Sequence, residues 1–95
     1  DFTRNRGGHQ AGTLLQGSAV LALDGRGDAP GRIDALPMLP QTWYVIEPDC
    51  WHAVIQAHGT ICAWAEAIGI SEERRELTAN QRRELDQFVG VYMPR

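Results

Sequence analysis

The residues most capable of chemistry lie in one run, residues 42–52, TWYVIEPDCWH. An apolar, β-branched and aromatic segment stops at Pro48, turns, and delivers His52 beside Trp51. A histidine at the start of a strand is well placed to aim its imidazole into the mouth of a small barrel. Imidazole is the side chain most able to change protonation near neutral pH, and it is a common metal ligand. The plainer reading is a hydrogen-bonded core histidine. Glu47 and Glu66, near the ends of expected strands, are carboxylates available to the same site. Cys50 and Cys62 have neither zinc nor CxxC spacing. They could face each other on adjacent strands, but without a secretory signal free thiols are the expectation. Trp43, Trp51 and Trp64 crowd one small region. Such aromatics are more often core than ligand platform, although aromatic-lined barrels also make small-molecule pockets.

The elements that must position these residues follow from punctuation and period. Residues 1–8 are polar and end in a Gly7-Gly8 break. Residues 13–23 (TLLQGSAVLAL) read as strand, apolar on both faces, with Gly17 as a turn or bulge inside it. Residues 24–31 (DGRGDAPG) form a turn-rich loop, in which Arg26-Gly27-Asp28 reads as loop composition rather than an integrin ligand. Residues 32–39 form a short strand or connection cut by Pro37 and Pro40. Strands are expected at 43–47, 51–56 and 60–65, with His58-Gly59 turning between the last two. The tail changes period. Ser71 can cap a short turn, SEERREL; Thr78 and Gln81 make a capping box, and a helix follows over 81–89. Leu85, Phe88, Val89 and Tyr92 share a stripe suited to packing on the barrel or on a partner subunit.

Ninety-five residues make one domain, 1–95, with a barrel over about 9–66 and a helical tail over about 71–92. The net charge of −3 argues against a nucleic-acid surface. All nine basic residues are Arg, which removes Schiff-base and lysine-base mechanisms. No apolar run approaches the roughly 20 residues of a membrane helix, so a cytoplasmic protein is expected. Exposed sheet edges and the Phe88–Tyr92 stripe suit a homodimer.

The order of a Gly-punctuated strand pair, a loop, and then strand–Pro-x-x-Trp-His–strand resembles the cupin superfamily. Glu47-Pro48-Asp49-Cys50-Trp51-His52 takes the place of its second motif, with Asp49-Cys50 where members often have Gly. In the first motif a Glu precedes a Gly by seven residues. Counting back from Gly17 puts Gln10 at that position, and the paired histidines would fall in residues 3–6, TRNR. One of four usual metal ligands, His52, is therefore present, and an amide stands for the carboxylate. His9 adjoins Gln10, but neighbours on a strand point to opposite faces. The expectation is no cofactor, a divalent metal through His52 being the alternative.

Within that superfamily the chain is similar to the ureidoglycolate lyase group, whose motifs are E-R-H-P-x-x-x-Q, a strand Gly, an Asp/Pro loop and V-W-H. Arg4, Gln10, Gly17, Asp28-Ala29-Pro30 and Cys50-Trp51-His52 match across residues 4–66. Thr3, Asn5 and Arg6 replace the family's Glu, His and Pro. The resemblance implies a mainly β fold, a small cupin-type β-barrel (jelly roll) with a C-terminal helix. It also implies a lyase that splits ureidoglycolate into urea and glyoxylate. In that chemistry His52 is the acid or base, Gln10 orients the ureido group, and Arg4 or Arg32 holds the carboxylate. Trp43, Trp51 and Glu66 line the substrate. The alternative is a non-catalytic cupin module that binds a small polar or acidic molecule, which the changes at Thr3 and Asn5 favour.

Overall fold

The computed structural model describes residues 1–66 and 71–93. It contains eight strands in two antiparallel sheets and one C-terminal helix. The strands are β1 (Phe2–Arg6), β2 (Gln10–Gln16), β3 (Ala19–Leu23), β4 (Asp34–Pro37), β5 (Trp43–Ile46), β6 (His52–Gln56), β7 (Ile61–Glu66) and β8 (Ser71–Arg75). The helix α1 spans Ala79–Tyr92. One sheet has the order β4-β3-β6-β1-β8, the other β5-β2-β7. Among the described residues the two sheets face each other without a hydrogen-bonded closure into a barrel.

The pairing is nested. β3 pairs with β4, β2 with β5, and β1 with β6. The chain thus forms a long antiparallel ribbon wrapped so that alternate parts fall in opposite sheets. Gly17 permits the step from β2 to β3: its φ is +91°, and a Cβ there would strike Thr60. The expected single segment 13–23 is therefore two strands in two sheets, with Gly17 as the turn.

Two further expectations change. The polar opening residues form β1, which sits between β6 and β8. SEERR is strand β8, not a capped helical turn, because it pairs residue for residue with β1 from Phe2↔Arg75 to Arg6↔Ser71. Cross-strand opposite charges support that register: Arg4 and Arg6 both reach Glu73. The helix begins where its capping box lies, with Thr78 and Gln81 each bonding the other's backbone N–H. It runs on to Tyr92 and packs Leu85 and Phe88 against Phe2, Ala22, Ile33 and Trp51 on the outer face of the five-stranded sheet. A second cluster, including Leu14, Leu21, Met38 and Ile46, fills the space between the sheets. Among the described residues no helix is long and apolar enough to cross a membrane.

Candidate functional site

Strand alternation decides which side chains meet. Leu23 lies in the cluster between the sheets and stands opposite His52, which in turn stands opposite Thr3. Directly opposed residues of an antiparallel pair share a face, and residues two apart along a strand do too. His52, Thr3 and Asn5 therefore point inward, between the sheets. On the facing sheet Ile46, an inter-sheet core residue, stands opposite Gln10, which stands opposite Glu66. Leu23–His52–Thr3 form one inward row on the five-stranded sheet, and Ile46–Gln10–Glu66 form an inward row on the three-stranded sheet.

The hydrogen bonds across the gap come from Asn5, two residues along β1 from Thr3. Asn5 Nδ2 donates to Gln10 Oε1 at 3.0 Å and to Glu66 Oε2 at 2.9 Å, crossing the gap between the sheets. His52 Nδ1 lies 3.0 Å from the Cys50 carbonyl oxygen. A carbonyl only accepts, so Nδ1 carries the proton of the neutral ring, and Nε2 is left with a lone pair. That lone pair faces the Thr3 hydroxyl at 3.4 Å. The turn that delivers His52 uses Asp49 at φ +64°, the left-handed region that favours Gly, and Asp49 N–H is anchored on the Asn5 carbonyl at 2.8 Å. Beneath the mouth the Trp64 ring lies across Gly12, where a Cβ would collide with it.

A cavity of about 260 Å³ adjoins the mouth, lined by Leu23, Arg26, Val45, Ile46, Glu47 and Cys50. Arg26 stands at its rim, donating to the Pro48 carbonyl and paired with Glu47 at 3.4 Å. Cys50 and Cys62 are both free thiols. Burial pushes each thiol above its ordinary range, backbone N–H groups and Arg26 partly offsetting this at Cys50. Both are poor nucleophiles as they stand.

Of the expected site residues, the structure joins Gln10 and Glu66 through Asn5 and points His52, beside Thr3, into the same inter-sheet space. It does not bring Arg4, Trp51 or Trp43 to them. Arg4 lies on the helix-facing side of β1, its guanidinium 4.5 Å over the Trp51 ring and bonded to the Gly27 carbonyl and to Glu73. Trp51 is fully buried beside it, and its indole N–H donates to the same Gly27 carbonyl at 2.8 Å. The Arg-Gly-Asp loop thus serves to cover Arg4 and Trp51. Trp43 is 60% exposed, on the outer face of the three-stranded sheet. The reason is parity: Trp51 precedes His52, and Arg4 lies between Thr3 and Asn5, so each faces the opposite way from its site neighbour.

Thr3 and Asn5, which enter the sequence reading only as replacements of family residues, and Arg74, which does not enter it, share the inward face of the five-stranded sheet. Arg74 stands opposite Thr3 on β8 and pairs with Glu72 at 3.1 Å. The spacing of Thr3 and Asn5, two apart, was the signal available for that pair. The donor set of Thr3, Asn5, Gln10 and His52 is a hydroxyl, two amides and one imidazole. Among the described residues no group of three or more His, Cys, Asp or Glu converges. That set does not fit a tightly held transition metal, which needs several imidazole, thiolate or carboxylate ligands. Compared with known families and curated proteins, the chain matches no family model and no curated sequence.

Proposed function

We infer that this chain is a cupin-type jelly roll that takes a small polar or acidic metabolite at the mouth between its sheets. The observation that carries the reading is that Thr3, Asn5 and His52 on the five-stranded sheet and Gln10 on the three-stranded sheet all point into the space between the sheets. These are the positions at which the cupin resemblance expects a ligand set. The nested pairing β3–β4, β2–β5, β1–β6 supports the jelly roll, whose strands come from such a wrapped ribbon.

The chemistry that fits best is ureidoglycolate lyase-like. His52 Nε2 is the base for the substrate hydroxyl, and the imidazolium so formed returns its proton to the departing urea nitrogen. Gln10, whose oxygen is held by Asn5, turns its NH2 group to the substrate as donor. Glu66 accepts from a ureido N–H. Arg74 takes the carboxylate-binding part that the resemblance gives to Arg4, which faces the helix. The second reading, binding without turnover, is favoured by the neutral character of Thr3, Asn5 and Gln10.

Urea release from ureidoglycolate, measured for the wild type and His52→Ala with and without a divalent metal, tests the reading. Release that depends on His52 supports the lyase. Binding of ureidoglycolate without release supports the module, and a folded protein that neither binds nor cleaves it contradicts both.

A further inference from the structure

We propose that the cavity beside Arg26 and Glu47 is a second binding site, shaped for a free aliphatic α-amino acid such as leucine. The site stands apart from the chemistry of the mouth: none of Thr3, Asn5, Gln10, His52 and Glu66 lines it. Its apolar walls are Leu23, Val45 and Ile46. β5 is an edge strand of its sheet, so Val45 and Ile46 both border the space although neighbours on a strand point to opposite faces. Arg26 and Glu47 supply one charge of each sign beside those walls. Arg26 follows Gly25, whose φ is +78°, and its Nε donates to the Pro48 carbonyl at 3.1 Å. That bond holds the guanidinium in place before a ligand arrives, so less side-chain freedom is lost on binding.

Charge and size select the ligand. Arg26 Nη1 and Glu47 Oε2 lie 3.4 Å apart, and both side chains are more than half exposed. An ion pair so open to water contributes little, so a ligand can take its place at small cost. The bonds to Pro48 and Glu47 use Nε and Nη1, which leaves the Nη2 hydrogens for a ligand carboxylate and Glu47 Oε1 for an ammonium. A monocarboxylate would meet Glu47 as well as Arg26, and a monoamine would meet Arg26 as well as Glu47. A zwitterion answers both, its carboxylate on Arg26 and its ammonium on Glu47. In an α-amino acid the two charges flank a single carbon, which also carries the side chain. The cavity, about 260 Å³, lies just below the range of drug-sized pockets, roughly 300–1,000 Å³, and so suits a ligand of amino-acid size. Leu23, Val45 and Ile46 offer apolar contact to an aliphatic side chain, whereas a polar one would lose its water partners there. Cys50, half-buried and free, completes the lining as a small, nearly apolar group.

An NMR titration of the protein with L-leucine up to about 10 mM, following the Val45 and Ile46 methyl groups, tests this. The expected result is saturable shifts at those methyls. Isocaproate lacks the ammonium, isopentylamine the carboxylate and glycine the side chain. Each should bind at least about tenfold more weakly than leucine, the loss expected for one charged hydrogen bond or for the apolar contact. Arg26→Gln and Glu47→Gln should each weaken leucine binding by a similar factor. Both side chains are exposed, and circular dichroism checks that each variant keeps the fold. Trp43→Ala, on the outer face of the same sheet, should leave leucine binding unchanged. A titration in which leucine moves neither set of methyls overturns the proposal. So does binding equally strong with any of the three analogues, binding indifferent to both charge variants, or binding abolished by Trp43→Ala.

Discussion

Asn5, on the five-stranded sheet, donates a hydrogen bond to Glu66 on the three-stranded sheet at 2.9 Å, and its second amide hydrogen goes to Gln10 at 3.0 Å. One side chain therefore ties the sheets together at the mouth and fixes which end of the Gln10 amide faces outward. Asn5→Ala removes both bonds and should lower unfolding free energy by about 1–3 kcal/mol. Chemical denaturation checks the stability. Ligand affinity should fall along with it, because Gln10 loses its set orientation.

Asp24 behaves in the opposite sense to most carboxylates. It is buried, neither side-chain oxygen has a hydrogen-bond partner, and burial, together with Glu84 and Asp34, pushes it up from 3.8 to about 7. Its folded pKa is raised, so the folded state binds the extra proton. The contribution is fully present below about pH 4 and is lost as pH rises through about 7. Stability should fall across that window by an amount on the order of 2–4 kcal/mol. Asp24→Asn should flatten the dependence, as thermal melts of both proteins between pH 4 and 8 would show.

Arg4 separates support from function. Arg4→Met keeps some of the aliphatic contact with Trp51 but loses the bonds to Gly27 and Glu73. It should cost about 1–3 kcal/mol in stability. Ligand affinity at the mouth should be unchanged. A fall in affinity with intact stability would place Arg4 in the site after all.

Much of the β pattern was legible, because apolar runs bounded by Pro and Gly mark β3, β5, β6 and β7 directly. The inward placement of His52 was legible from the strand start after Pro48, whereas Gln10 entered only through the cupin resemblance, by its spacing to Gly17. β1 was not. Its inward residues Thr3 and Asn5 are polar, satisfied by His52, Gln10 and Glu66, and its outward Arg4 is covered by Trp51. Burial of paired polar groups leaves no apolar alternation to read. β8 was hidden for a related reason: SEERR has a helix former's composition, and only its register against β1 makes it a strand. The faces of Arg4 and Trp51 depended on that same register.

We propose that the mouth lined by His52, Thr3, Asn5, Gln10 and Glu66 is where the protein meets its small molecule. An NMR titration with ureidoglycolate, following the His52 ring and the Asn5 and Gln10 side-chain amides, tests it most directly. Saturable shifts are expected at those three groups, with the indole N–H signals of Trp43 and Trp51 unmoved. Shifts confined to Trp43 and its neighbours, or none at any of these groups, would contradict it.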